Sequence, residues 1–389
     1  MNHYNSPFSI GLPETVLGIG AIEKVGLIAR RFGKKAFIIT DAGLVKAGLL
    51  DKMKRPFEEN GIEVGVFDRC ILDCPIRVIE ECAEVVRTGG YEVLIGLGGG
   101  SVLDTAKTTG VLVGAEKGTR ARIGMKVEKA GLPKILIPTT AGSGAEYTSV
   151  AVLLDESTGL KGPVYSDYLC PQAVIVDPSL TLSVPAKVTA DSGMDALSHC
   201  IESYTTWRAN VISDMMATKG IELISGSLRT ACGQGDKNVE SRYGMCVGSM
   251  LGINAFLASG RGLGLAHAMS YPIQEVGHVT HGEAVSLALP YVMEYNLPVN
   301  LAKFAHIAEL MGEEVKGLGL RDRAHLAVEA VKKLSIDVGV VQKLRDVGLK
   351  KEEITSYVDN VFDLHFPLVE TNGRTASRQD AARIFEAAF

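Results

Sequence analysis

The sequence predicts a parallel α/β domain followed by an all-helical one, and three observations carry that expectation. The chain has 389 residues, 46% of them hydrophobic, too long for one ordinary core and apolar enough to fill about two. Through about residue 185, short β-rich apolar runs alternate with helical patterns, the rhythm of strands joined by crossover helices. Beyond Val184-Pro185 the texture changes to long segments of helical period. The expected domains are therefore 1–185, α/β, and 186–389, all helical.

The strands expected in order are KKAFIITD ending at Asp41, IEVGVFD ending at Asp68, VLIGLGGGS ending at Ser101, KILIPTT ending at Thr140 and QAVIVDP ending at Pro178. Between them lie amphipathic stretches such as PIRVIEECAEVVRTGG, whose glycines supply the stop. The polar run at residues 114–131, GAEKGTRARIGMKVEKAG, reads as a surface excursion whose basic residues are solvated. The helical half is expected from VTADSGMDALSHCIESYTT, NVISDMMATKGIELISGSLRTAC and NLAKFAHIAELMG.

Charge and composition exclude several function classes. The 40 basic and 45 acidic residues are spread through the chain and give a formal net charge of -5, with no basic footprint for nucleic acid or an anionic membrane. No segment has the run of apolar residues that a membrane span needs, and MNHYNSPFSI lacks the pattern of a leader. Seven cysteines without a CxxC pair fit reduced thiols in a cytoplasmic enzyme. Cys200 is read as a buried structural thiol, and the partner is expected to be a small molecule.

Two loops suit a nucleotide. Gly98, Gly99, Gly100 and Ser101 follow a buried strand and open a helix, where bare glycines, free amides and the helix dipole favour a pyrophosphate. The pattern is neither a lysine-serine phosphate loop nor a full GxGxxG, so a tight structural turn is the competing reading. PTTAGSGAEYTS, from Pro138 to Ser149, again follows a strand and crowds hydroxyls and glycines. Asp41 closes the first strong strand; it serves either as a ribose acceptor that favours NAD over NADP or as a helix N-cap.

Two segments of the helical half suit a metal. Asp195 and His199 are four apart on an expected helix and share a face. His267, His278 and His281 then fall within fifteen residues of a chain that has only eight histidines. One carboxylate with imidazoles suits Fe²⁺ or Zn²⁺ rather than Mg²⁺, against the plainer reading of each as a satisfied core histidine. His3, His306, His325 and His365 have no such company and are taken as ordinary. A nucleotide site and a metal in one chain suggest hydride transfer between a nicotinamide and an alcohol or aldehyde.

GGGSVLDTAK, PTTAGSGAEYT, VDPSLTLSVP, TADSGMDALSHCIESY, GLGLAHAMSYP, THGEAVSLALPYVMEYN and NGRTAS occur in an order and spacing that resembles the iron-containing alcohol dehydrogenases over nearly the whole chain. The resemblance implies an N-terminal dinucleotide-binding domain and a C-terminal helical domain, an architecture shared with dehydroquinate synthase, with catalysis in the cleft between them. It implies metal ligands Asp195, His199, His267 and His281. It also implies NAD contacts at Asp41, Gly98, Gly99, Gly100, Ser101, Thr139, Thr140 and Lys161, the last near the nicotinamide ribose, and a homodimer or larger assembly. The implied activity is NAD-dependent interconversion of a small alcohol and aldehyde, running toward aldehyde reduction in cells.

Two departures concern chemistry. Where many members of the family carry a histidine four residues after the third ligand, this chain has Tyr271, which can donate and accept a hydrogen bond but, as a phenol, holds its proton to high pH, so the relay is expected to run instead through His278, the ribose hydroxyls or water. NAFLASGRGLGLAH also places Arg261 shortly before His267, either as a clamp for a carboxylate, sulfonate or phosphonate on the substrate or as a surface salt bridge. The competing activities on this architecture are a glycerol dehydrogenase, a hydroxyacid-oxoacid transhydrogenase, a metal-free reductase and a dehydroquinate synthase-like lyase. A non-catalytic metal or nucleotide module is the reading from outside enzymology.

Overall fold

The structure is a computed structural model that describes residues 11–389 except 117; His3 lies outside the described residues. Two compact units emerge: Gly11–Thr140 with Gly144–Ser183, and Ala141–Ser143 with Val184–Phe389.

The first unit is built on eight strands among the described residues: β1 (Glu14–Leu17), β2 (Lys35–Ile39), β3 (Glu63–Phe67), β4 (Val93–Gly98), β5 (Lys134–Pro138), β6 (Val150–Asp155), β7 (Leu160–Tyr165) and β8 (Ala173–Val176). Six form one parallel sheet in the order β1-β8-β5-β4-β2-β3. All five expected runs appear as strands. Alternation within them sends side chains to opposite faces: Ala36, Ile38, Val93, Ile95, Leu97, Ile135 and Ile137 enter one core. Phe37, Ile39, Leu94 and Leu136 enter the other, with helix α1 (Ile76–Gly89) contributing Val78, Cys82 and Val86. A sheet buried on both faces is why these runs are almost continuously apolar.

Three strands were not anticipated. β1 is a four-residue edge strand with two exposed positions, too short to show a period. β6 and β7 form an antiparallel hairpin, but Gly162 and Pro163 interrupt its second arm. The turn is held by Asp155, whose Oδ1 accepts from the Ser157 N–H at 2.9 Å, and Gly159 closes it at φ 73. The run at 114–131 is a surface excursion as expected, with Arg120 and Lys126 exposed. Its Ala121 and Met125 nevertheless turn inward.

The second unit contains no strand among the described residues. Its central helices are α3 (Ala186–Thr205), α4 (Val211–Gln234), α5 (Val239–Ala258), α6 (Leu265–Gly277) and α7 (His281–Asn296), around one continuous core. Cys200 is buried, and a Cβ placed on Gly220 or Gly252 would lie 2.5 or 2.8 Å from its Sγ. The thiol therefore fills a gap where three helices approach closely, which is the structural role expected of it. All seven cysteines are thiols.

Helix α2 (Gly100–Gly114) carries a device that positions the second glycine-rich loop. Lys107 has no exposed surface. Its Nζ donates to Ala145 O at 2.8 Å, to Thr148 Oγ1 at 3.2 Å and to Val150 O, and pairs with Asp104 at 2.8 Å. One buried ammonium thus donates to three acceptors and offsets the charge of one carboxylate. Lys107→Met would leave the Asp104 charge uncompensated and take a donor from each of the other three, and we expect the urea-unfolding free energy of this unit to fall by about 3–5 kcal/mol; a change below about 1 kcal/mol would contradict the assignment.

Candidate metal centre and nucleotide site

Helix α3 presents Asp195, His199 and Glu202 on one face because they are spaced four and three apart. His267 sits in the first turn of α6, and His281 opens α7 behind the N-cap Thr280. The structure brings these to one point: Asp195 Oδ1 lies 3.6 Å from His267 Nε2, 3.9 Å from His281 Nε2 and 4.0 Å from His199 Nε2. Two ligands at about 2.1 Å from a tetrahedral metal lie about 3.4 Å apart, so the separations are those of a site able to close on one ion. Asp195, His267 and His281 have ligand atoms within 4.8 Å of one another. His199 stands just outside that group, its ring stacked on His267 at 4.8 Å.

The donor chemistry fits a metal. Asp195 Oδ1 and His267 Nε2 are buried without a hydrogen-bond partner, an arrangement costly unless a cation is shared between them. His267 Nδ1–H donates to Glu202 Oε2, and the Ala266 N–H donates to Glu202 Oε1 at 2.8 Å. Glu202 thereby fixes the tautomer that leaves Nε2 as the ligand nitrogen. Burial pushes the Asp195 carboxyl up, but the neighbouring His199, His267 and His281 outweigh it and hold the group well below the usual carboxylate range. Burial brings His199 down to about 4, whereas at His267 the same penalty is overcome by Glu202 and Asp195, which raise it to about 9. Glu202 was missed in the sequence, although its position seven after Asp195 on a helical face was the signal available.

The relay candidates separate. Tyr271 is half-buried, with its ring 6.3 Å from that of His281. His278 is exposed and serves as the left-handed C-cap of α6 at φ 50, a backbone duty that His tolerates. No ring contact or hydrogen bond joins it to the cluster among the described residues. His365, taken as ordinary, instead stacks on Tyr271 with centroids 3.6 Å apart and planes at 12°. Nearly a hundred residues of chain separate the two, so no local spacing could have paired them. His306 remains a packing residue, meeting Tyr204 Oη at 3.1 Å. Arg261 is exposed, in the left-handed region at φ 64, on the loop that leads from α5 into α6.

In the first unit, Gly98 ends β4 and Gly99 is the N-cap of α2, in extended conformation and without a side-chain cap. The leading amides of α2 are left for an acceptor from outside the helix. Asp41 caps the helix Ala42–Lys46, accepting from the Leu44 N–H at 3.0 Å; a carboxylate has lone pairs beyond that one bond. Thr139 is buried and its N–H donates to Gly98 O at 3.0 Å, while Thr140 is half-buried. Ser101 Oγ accepts from the Asp73 N–H at 3.1 Å, and Lys161 Nζ pairs with Asp73 Oδ1 at 2.6 Å. Asp73 and Cys74 are consecutive left-handed residues, at φ 68 and 51. Asp73 thus links two of the expected nucleotide residues, and nothing in its local sequence marked it.

The chain is similar to known proteins over nearly its whole length. Residues 13–178 match the model of "Iron-containing alcohol dehydrogenase" and residues 189–389 that of "Fe-containing alcohol dehydrogenase family, C-terminal". The chain is 35% identical to the NAD-dependent methanol dehydrogenase of Bacillus methanolicus, over 97% of this chain and 98% of the relative. It is 33% identical to the sulfoacetaldehyde reductase of Bilophila wadsworthia, covering 96% and 97%. The crystal structure of a 1,3-propanediol oxidoreductase superposes with a TM-score of 0.92 at 34% identity, covering 99% of this chain and 100% of that one.

The stacked pair has a consequence for acid stability. Burial pulls His365 from 6.5 down to about 4, so between those values the unfolded chain takes up a proton that the folded chain refuses. Stability is kept above pH 6.5 and lost as pH falls toward 4, by about 1–2 kcal/mol once partial exposure is allowed for. His365→Leu should flatten the denaturation profile across that window; parallel profiles for the two proteins would count against the buried neutral imidazole.

Proposed function

The chain belongs to the iron-containing alcohol dehydrogenase family, and on that premise we propose that it interconverts a small aldehyde and its alcohol with NAD(H), running in cells as an NADH-dependent aldehyde reductase. The observation that carries the reading is the buried, unpartnered Asp195 Oδ1 facing the Nε2 atoms of His199, His267 and His281. These residues would hold Fe²⁺ or Zn²⁺. When bound, the metal supplies Lewis-acid stabilisation of the negative oxygen that develops during hydride transfer. Asp195 contributes the single negative ligand, so the site keeps net positive charge for that oxygen. Glu202 holds His267 in its ligand tautomer. His281 has the most exposed side chain of the four, at 36%, which leaves its side of the cluster open to a substrate.

Cofactor binding is assigned to the first unit. The amides of Gly99, Gly100 and Ser101 receive the pyrophosphate after Gly98, with Thr139 and Thr140 beside them and Lys161 near the nicotinamide ribose. Asp41 accepts from the ribose hydroxyls and repels a 2′-phosphate, which selects NAD over NADP. Of the two side chains considered for the relay, Tyr271 and His278, Tyr271, backed by His365, is the one with a ring contact to a ligand, and we assign it the substrate-side hydrogen bond. No helix among the described residues is long and apolar enough to cross a membrane; a cytoplasmic homodimer or larger homo-oligomer is our working assembly, checked by light scattering.

Substrate class rests on Arg261. A guanidinium six residues before His267 suits an aldehyde that bears a carboxylate, sulfonate or phosphonate, and one relative is a sulfoacetaldehyde reductase.

NADH oxidation by metal-stripped protein, reconstituted with Fe²⁺, Zn²⁺ or Mn²⁺ and offered neutral and anionic aldehydes, tests the reaction. Turnover should require metal, and His267→Ala should lower kcat by at least about 10³-fold with circular dichroism unchanged; full activity without metal would overturn the proposal. Arg261→Ala should raise KM for anionic aldehydes by about tenfold and leave neutral ones alone. Equal effects on both classes would remove Arg261 from the site.

A further inference from the structure

Ligands on separate helices must be held in register before any ion arrives, and the link between α3 and α7 is made one turn away from the ligands themselves. Asp191 lies one turn before Asp195 on α3 and is 4% exposed. Its Oδ2 accepts from Thr280 Oγ1–H at 2.8 Å, while Thr280 Oγ1 also accepts from the Glu283 N–H at 3.3 Å as the N-cap of α7. Glu283 is 6% exposed and its carboxylate pairs with Lys187. Lys187 Nζ bridges the two buried carboxylates, at 2.8 Å to Asp191 Oδ1 and 2.7 Å to Glu283 Oε1. Between Thr280 and Glu283 stand His281 and Gly282. A Cβ on Gly282 would lie 2.1 Å from Asp191 O and 3.3 Å from Asp195 Cβ, so α7 begins in backbone contact with the turn of α3 that bears Asp195.

We propose that Lys187, Asp191, Thr280 and Glu283 form an electrostatic clamp that positions His281 against Asp195, so that metal affinity is set by this clamp as well as by the ligands. The proposal rests on the metal reading given above. His281 needs such a device more than the others, because His267 is anchored through Glu202 and His199 shares a helix with Asp195. Lys187 is the element that cannot be spared. Without its charge, two buried carboxylates face one gap with no counter-ion, and their repulsion acts across the junction that sets the His281 to Asp195 distance. These are positioning residues: none of them supplies an atom to the ion.

The test is Co²⁺ titration of the metal-stripped full chain, followed by visible absorption, whose bands report ligand number and geometry. Lys187→Met should weaken Co²⁺ binding by about 10- to 100-fold and alter the spectrum, while Lys187→Arg restores most of the affinity. NADH affinity, measured by fluorescence, should not change in either variant. Thr280→Val removes the hydrogen bond to Asp191 and the cap on the Glu283 N–H but keeps the Lys187 bridge, and should weaken Co²⁺ less; it carries the test if Lys187→Met fails to fold. Folded variants with wild-type Co²⁺ affinity and spectrum would overturn the clamp alone. A wild-type chain that binds no Co²⁺ would overturn the metal reading, and the clamp with it.

Discussion

The structure of the helical unit depends on one buried carboxylate. Asp195 is 4% exposed and its Oδ1 has no hydrogen-bond donor, a condition that is tolerable only if positive charge is brought to it. Three imidazoles from three helices converge on that atom, and the groups around them follow from the same requirement. Glu202 orients His267 and adds the second negative charge that raises its basicity. Lys187 neutralises Asp191 and Glu283 where α3 meets α7. These paired charges run along α3 from Lys187 to Glu202, while most of the unit's interior is apolar packing.

The α/β unit solves a different problem, that of presenting bare backbone. Its sheet is covered on both faces by separate cores, which makes the end of β4 a rigid platform. At that end the chain places glycine where a side chain would normally cap the helix. The amides are thereby reserved for an external acceptor. Rigidity of the neighbouring loop comes from Lys107, a buried cation that replaces the regular hydrogen-bond ladder a loop lacks. Charge in this unit builds a loop, whereas charge in the helical unit builds a site.

Sites of this kind tend to violate local rules. Asp73, Cys74, Arg261 and His278 are the non-glycine residues with positive φ among the described residues. Asp73 joins Ser101 to Lys161, Arg261 follows the end of α5 and His278 ends the helix of His267. Left-handed backbone costs on the order of 1 kcal/mol per residue and persists where the surroundings over-determine it. Such backbone lies close in sequence or contact to residues assigned here to cofactor, substrate and metal.

Features that repeat with a local period could be read from the chain before it folded. Four of the five apolar runs became the interior strands of the parallel sheet and the fifth its β3 edge, the long periodic segments became helices, and the i, i+4 spacing of Asp195 and His199 placed both on one face. Glu202 was within reach of the same rule. The edge strand β1 and the hairpin were not, because a four-residue strand and an arm broken by Gly162 and Pro163 carry too little pattern. Which distant residues meet was set by packing: His365 on Tyr271, Asp73 on Lys161, and Thr280 on Asp191. It also turned His278 out to solvent while drawing His281 in, although three positions separate them. The physical reason is that periodicity records which face of an element is buried, whereas contacts between elements follow from how whole faces pack, and that information is spread over the entire core.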